Sequence, residues 1–469
     1  MDTKYHKLDN SGGDVKSINT IPQTTKLFIL HVFKAVLNIP VTCSKFCRSI
    51  IYITLFFVTL SSISVLISNG KAKMNFRPTP HTPLLATTHH VQPLKCIADR
   101  NQPEWPRPVQ TDNKSNNNLT VVIVTARPEF KRLSVTMAAL LSHLDSRRIT
   151  EVMLLVPPKD IHLLQPHFPV EYKKYWPWTI SIVPDDILLK HIKTDSYRLQ
   201  MMFKLMVAQI VKTEFYLILD SDCVAVWPIH VEQLLHQNKT SSLYQSIYKA
   251  EDRSVHEKWW IESERLIQVK LESCVPNDKS KTSLIGVTPS ILSRTISLRT
   301  LCRLQKLYDD ETFLTKMANW ELSPPKPDHM WTEYTLYYIT GRCTQLFDTY
   351  HINDSSLLSS NSMPKVDLYG LSIWSDKDWT KENQNKLIDS INNGLRWRQK
   401  EIDEANGQAI IDKSINEHSL FTVLQGRHNV DTKLYHQYFY PLYMKYLQEQ
   451  KQMDKLVPLI EYMAQQFRN

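Results

Sequence analysis

The segment FYLILDSDCVAV, residues 215 to 226, sets two carboxylates at the end of an apolar run, Asp220 and Asp222, with Ser221 between them. Residues i and i+2 of an extended chain point to the same side. Two acids so placed repel each other unless a cation lies beside them. Hard divalent ions such as Mg²⁺ and Mn²⁺ take such oxygens and bridge them to phosphates. A solvated acidic turn would use the same residue types. The unbroken apolar strand in front, and the α/β order around it, favour the metal reading. His351, in DTYHIND, is a candidate for a further ligand, although a lone histidine is more often a packed one.

Those acids need elements to position them. LTVVIVT from Leu119, EVMLLVP, TISIVP and FYLILD read as strands. FKRLSVTMAALLSHL and YRLQMMFKLMVAQIV read as helices. This alternation predicts an open α/β sheet whose ligands sit at the carboxyl ends of its strands. Thr125, Arg127, Asp220 and Asp222 all fall at such ends. Further on, SLIGVTPSILSRTISL reads as a strand, a turn at Pro289 and a helix from there. WTEYTLYYITGR reads as a short helix with Glu333 near its start. Beyond about Asp376 the pattern is charged and mostly helical.

Residues 49–67, SIIYITLFFVTLSSISVLI, form an uncharged stretch of 19 residues, long enough to cross a bilayer as a retained anchor. LFILHVFKAVLNIPV before it reads as an interfacial helix. The charges flanking the span are tied, Lys34, Lys45 and Arg48 before it and Lys71, Lys73 and Arg77 after it, but the whole tail 1–48 carries seven Lys/Arg against three Asp, which tilts it to the cytoplasmic side. N-x-S/T acceptors at Asn113, Asn118, Asn238 and Asn353 follow the span and none precedes it, which fits a luminal remainder. Seven prolines between residues 70 and 118 mark a stem. The expected layout is therefore tail 1–48, anchor 49–67, stem 68–118, an α/β domain 119–375 and a helical extension 376–469. Seven cysteines are too few for a disulfide scaffold. Five lie beyond the anchor, allowing one or two disulfides and leaving at least one thiol over. Nine glycines argue against a Gly-rich dinucleotide fold, and the net charge of +9 is spread too widely to mark a nucleic-acid site.

Two enzyme classes carry D-x-D after an apolar strand. Haloacid-dehalogenase-type phosphatases use the first Asp as nucleophile, here Asp220. They place the motif at the start of the domain, whereas about a hundred residues separate LTVVIVT from it here. The second class is the nucleotide-sugar-dependent glycosyltransferases of the GT-A fold. YRLQMMFKLMVAQIVKTEFYLILDSDCVAVWPI, GVTPSIL and WTEYTLYYI resemble a poorly characterised GT-A-type glycosyltransferase family found mainly in bacteria. That family shows a Tyr-Arg-Gln-Gln-like helix with a Lys, then D-S-D, Gly-x-Thr-Pro and Thr-Glu-Tyr-x-Leu-Tyr segments in this order. Leu199 departs from the Gln pair. The resemblance covers roughly Leu119 to Tyr350.

It implies a Rossmann-like, mixed central sheet flanked by helices, and a Mn²⁺ (or Mg²⁺) ion on Asp222 and Asp220, with Asp220 also touching the ribose. It places Thr125, Arg127, Gln200, Lys204 and Ser221 near the nucleotide sugar, and makes Gly286, Thr288 and Thr332 candidate substrate contacts. Glu333 is the candidate base for the acceptor hydroxyl, or an acceptor-binding acid; charge compensation at a helix N-terminus would explain it equally. Pro289 belongs to the same turn. Trp331 and Trp374 could face sugar rings, though aromatics of that size are more often core. The function expected is sugar transfer from a nucleotide-sugar donor to a glycan, glycoprotein or glycolipid hydroxyl. It would take place on the luminal side of a Golgi or other secretory-pathway membrane, in a single-pass type II protein with no nucleic-acid partner. The alternatives are the phosphatase and a membrane-tethered binding protein of the same fold without catalysis.

Overall fold

A computed structural model of the chain describes residues 91, 94–109, 117–189, 192–238, 241, 243–275, 283–309, 312–320, 330–353, 365–373, 378–404, 417–424, 435–450 and 453–466. All belong to the unit Pro80–Asn469. The anchor 49–67, the tail, the interfacial helix, Asn113 and Trp374 lie outside the described residues. Among the described residues no helix is long and apolar enough to cross a membrane.

Five strands build the central sheet: β1 (Leu119–Val124), β2 (Ile149–Val156), β3 (Thr179–Pro184), β4 (Phe215–Asp220) and, after a short strand β5 (Cys223–Ala225) that leaves this sheet, β6 (Ser290–Ser293). Their spatial order is β6-β4-β1-β2-β3. β3, β2, β1 and β4 are parallel and β6 is antiparallel on β4. Parallel strands are covered on both faces, so they read as continuous apolar runs. LTVVIV is buried along its whole length for that reason.

The two-residue period of a strand sorts these side chains into two cores. Val121, Ile123, Leu217 and Leu219 face one side with α1 (Phe130–His143). Val122, Val124, Tyr216 and Ile218 face the other with α2 (Ser196–Met206). That second core also takes in α3 (Glu257–Ile267), α4 (Arg294–Tyr308) and α5 (Glu333–Cys343). Full burial of each such Val, Leu or Ile contributes about 1.5–3 kcal/mol. The same parity decides the site: Asp220 falls on the α2 and α5 side, and Ser221 on the α1 side.

Three sequence-based expectations change. The helix expected from Pro289 begins at Arg294 instead. Ser290–Ser293 hydrogen-bond along β4, and Ser293 is the N-cap, its hydroxyl accepting from the Ile296 amide at 3.3 Å. The C-terminal quarter is mostly helical but not a separate helical extension. Besides α6 (Lys381–Glu404), α7 (Tyr440–Glu449) and α8 (Val457–Gln466) it contributes a strand, Glu417–Val423. With β7 being Lys365–Tyr369, that strand is β8; it pairs with β7 and, antiparallel, with β5. It thereby covers an edge that β5 would otherwise leave open. Part of the expected stem is also folded. Cys96–Ile97 pairs with Arg107–Pro108, Cys96 is disulfide-bonded to Cys302 of α4, and Arg299 reaches Asp99 at 2.6 Å. A second disulfide joins Cys274 to Cys343, and Cys223 is a buried free thiol.

Candidate active site

The parallel strands run β3-β2-β1-β4 across the sheet, so chain order reverses between β1 and β4. A reversal of this kind opens a crevice at the carboxyl ends of the two strands. Val124 and Asp220, the last residues of β1 and β4, lie opposite each other there. Thr125 and the acid pair are the residues next to that crevice.

Asp220 meets Lys204, which α2 delivers from its last turn. Lys204 Nζ lies 3.0 Å from Asp220 Oδ1, 3.2 Å from Asp220 Oδ2, 3.1 Å from Glu333 Oε1 and 3.1 Å from Thr288 Oγ1. An ammonium has three protons, and these three partners take them. The side chains of Lys204 and Glu333 are 7% and 3% exposed, against 32% for Asp220. Burial opposes the charge on Lys204, but Asp220, Tyr334 and Glu333 more than offset it and raise its pKa above the ordinary lysine value. Burial also raises the Glu333 carboxyl, and Lys204, shared with Asp220, only partly counters this. Tyr334 completes the cluster through a 2.6 Å hydrogen bond with Thr288.

The turn after β4 is clamped from the other face. Ser221 Oγ donates to Glu129 Oε2 at 3.1 Å, and Glu129 is ion-paired with Arg132 one turn along. Thr136 of α1 donates to the carbonyls of Ser221 (2.8 Å) and Cys223 (3.2 Å). The Leu424 amide, just past β8, donates to the Asp222 carbonyl at 3.0 Å. Asp222 itself is 8% exposed, so Asp220 is the more open acid. Burial, then Asp222 and Asp220, push the Cys223 thiol up, which keeps it protonated.

Thr125 is buried, its amide donating to the Leu155 carbonyl, while its hydroxyl has no partner among the described residues. A buried hydroxyl left so at a crevice is a place for a bound group to bond. Arg127 is exposed, with its amide on Asp160, and Gln200 is half-buried. The structure thus brings together Thr125, Lys204, Asp220, Ser221, Thr288 and Glu333.

The remaining residues have other surroundings. Gly286 packs where a Cβ would lie 2.6 Å from the Tyr369 hydroxyl. The Thr332 hydroxyl caps α5, accepting from the Thr335 amide. His351 uses Nδ1 on Ser246 and Nε2 on Tyr337, and burial lowers its pKa to about 3, so it is a neutral core histidine and not a metal ligand. The Trp331 indole donates to the Met317 carbonyl in the core and offers no face to a sugar. Asn118, Asn238 and Asn353 are half-buried.

Sequence reasoning missed Glu129, Thr136 and Tyr334. Glu129 stands in the polar turn after β1, where its distance from Ser221 in sequence hid it. Tyr334 sits next to Glu333 and could have been found from that adjacency.

Among the described residues, no group of three or more His, Cys, Asp or Glu side chains is placed to hold a metal. Asp220 and Asp222 are two. That donor set fits the way Mg²⁺-like ions are held, by one or two carboxylates with waters and substrate phosphates completing the shell.

No curated protein matches the chain. Among solved structures it is similar to the bifunctional glycosyltransferase WbbM in its apo form. That match has 9% identity and a TM-score of 0.35, covering 75% of this chain and 53% of that one, so the chain spans about half of WbbM's length. Mouse xyloside xylosyltransferase 1, apo form, is 8% identical with a TM-score of 0.29, over 50% of this chain and 84% of that one. The galactosyltransferase LgtC, in complex with donor and acceptor sugar analogs, is 8% identical with a TM-score of 0.31, over 70% and 95%. These likenesses are loose, and nothing of those enzymes' substrates passes to this chain. The family match is direct: residues 119–396, more than half of the chain, match the family described as a family of unknown function (DUF6492), and the chain belongs to that family.

Proposed function

We propose that this chain is a metal-dependent glycosyltransferase that moves a sugar from a nucleotide-sugar donor to a hydroxyl of a glycan, glycoprotein or glycolipid. The observation that carries the reading is the position of Asp220-Ser221-Asp222 at the carboxyl end of β4, beside Thr125, where strand order reverses. Asp220 and Asp222 would hold Mn²⁺ or Mg²⁺. Such an ion, when bound, neutralises the charge of a diphosphate leaving group. Asp220 keeps lone pairs beyond the two that Lys204 meets and has the capacity to accept from a ribose hydroxyl. Thr125 offers its hydroxyl, without a partner among the described residues, to the same ligand. Ser221, held by Glu129, fixes the turn that aims both acids. Glu333 acts through Lys204 as a positioning residue, since its carboxylate is sealed from the crevice by burial and by that contact.

The domain works on the luminal side of a secretory-pathway membrane, anchored by residues 49–67. Two disulfides and the sequons downstream of the anchor support this, because disulfides persist in oxidising compartments.

A panel of UDP- and GDP-sugars, screened by thermal shift with and without Mn²⁺, tests the function. Expected is Mn²⁺-dependent stabilisation by at least one donor, with slow donor hydrolysis lost in Asp222→Ala. Failure of every donor to bind in the presence of Mn²⁺ overturns the reading.

A further inference from the structure

A cavity of about 620 Å³ lies away from the acid cluster, between α6, β8 and the chain leaving β5. It falls within the roughly 300–1,000 Å³ of small-ligand sites. None of the residues gathered around Lys204 lines it. Its wall is built on purpose-shaped backbone. At Gly394 a Cβ would lie 2.2 Å from the Val226 carbonyl, so α6 comes against the chain there only because that residue has no side chain.

The lining chemistry is specific. Ile391 and Leu395 turn α6 to the core, and Leu387, also buried, lines the inner end of the cavity. Asn393, Arg396, Trp397 and Lys400, at i, i+3, i+4 and i+7, form a different face and line the cavity. Trp397 stacks on Trp227, with ring centroids 6.4 Å apart and planes 21° apart, and Lys400 Nζ lies 5.0 Å over the Trp397 ring. Arg396 and Lys400 are exposed, and no Asp or Glu is among the lining residues. Arg396 has no ion-pair partner among the described residues.

From this arrangement we infer that the cavity binds an acidic oligosaccharide. Trp397, half-buried, and Leu371, exposed, supply apolar surface on the cavity wall for a sugar ring, while Asn393 and Ser390 supply hydrogen-bonding groups for hydroxyls. Arg396 and Lys400 supply charge-assisted bonds for carboxylate or sulfate. Trp227 lies five residues after Asp222 on a nearly continuous extended segment, a reach of about 16 Å at strand rise. That reach is an upper limit on the distance from the Trp227 wall of the cavity to Asp222. That it serves as an acceptor subsite rests on the transferase reading; the binding does not.

The test uses the full chain at physiological ionic strength. A galacturonate tetrasaccharide, its methyl-esterified neutral form and a tetraglutamate peptide are titrated, read by tryptophan fluorescence and calorimetry. Expected is saturable binding of the acidic sugar, weaker by about tenfold or more for the neutral form and for Arg396→Ala/Lys400→Ala. Lys381→Ala/Lys386→Ala, on α6 outside the cavity, binds as the parent does. No binding, equal binding of charged and neutral sugar, preference for the peptide, or full affinity in Arg396→Ala/Lys400→Ala each overturn the inference. Donor binding with Mn²⁺ is measured on the same variants. If the acidic sugar binds and no donor does, the transferase reading falls and the cavity stands; if donors bind and the acidic sugar does not, the reverse holds.

Discussion

Lys204 lies 3.0 Å from Asp220 and 3.1 Å from Glu333, so one buried cation joins the acid at the mouth of the crevice to an acid sealed in the core. α2 and α5 are pinned to the end of β4 by this single side chain. The arrangement follows from strand parity, which sends Asp220 to the face that both helices cover.

Removing the cation leaves Glu333 buried and uncompensated. Breaking a buried pair from one side costs about 3–5 kcal/mol. Lys204→Met is expected to lower unfolding free energy by that amount in urea titrations. Adding Glu333→Gln to it should recover part of the loss, because the stranded charge is gone. An unchanged urea midpoint in Lys204→Met would contradict the pairing.

The disulfides give a second prediction. Peptide mapping without reduction should recover Cys96 linked to Cys302 and Cys274 linked to Cys343. Cys223 should react with a thiol reagent only after denaturation, being buried. Removing either bridge should cost about 2–5 kcal/mol. Recovery of any other pairing would refute the arrangement.

Much of this was readable in the chain. β1 to β4 are mostly apolar runs with polar ends, and the acids at the end of β4 stand out because nothing charged interrupts that strand. Asp220 and Lys204 could each be nominated, but not joined, since they stand 16 positions apart, with the end of a helix, a loop and a strand between them. The pairing depends on which face a helix covers, and that is set by tertiary packing. β8 was illegible for another reason. HSLFTVL is short and sits in a charged region, and it becomes a strand because β5 offers it an edge. Pro289 misled because a proline before a helical pattern resembles a helix start, whereas Ser293 supplies the cap.

Stability should peak between the acid and alkaline sides of neutrality. Burial holds His143 and His351 near a pKa of about 3 and His167 near about 4, below the 6.5 of the unfolded chain. The unfolded state then binds more protons, so the stability these groups confer is present above 6.5 and lost as pH falls below it. His230 is opposite. Burial opposes its charge, but Asp145 at 3.1 Å and Glu401 at 2.9 Å raise its pKa to about 9. Its contribution is full below 6.5 and lost as pH rises through about 9. Melting temperature against pH should therefore fall on both sides of about 6.5 to 7, and His230→Gln should flatten the alkaline limb. A flat profile from 6.5 to 9 in the parent would refute the His230 assignment.

Glu333 offers the sharpest distinction between a base and a positioning residue. As a base it would accept a proton from the acceptor hydroxyl, and Glu333→Gln would lower kcat while leaving Mn²⁺ affinity unchanged. As a positioning residue it draws part of the Lys204 charge away from Asp220. Glu333→Gln keeps the shape but removes that competition, so Lys204 commits more fully to Asp220 and the carboxylate becomes a poorer metal ligand. Mn²⁺ affinity, measured by calorimetry or paramagnetic resonance, should then fall by about three- to tenfold, the effect of about 1 kcal/mol at a partly open carboxylate. Donor affinity should fall with it, while donor affinity extrapolated to saturating Mn²⁺ returns close to the parent value. Glu333→Asp, which retains the charge one methylene shorter, should lose less Mn²⁺ affinity than Glu333→Gln. An unchanged Mn²⁺ affinity in Glu333→Gln, together with a large loss of kcat, would return Glu333 to the role of base.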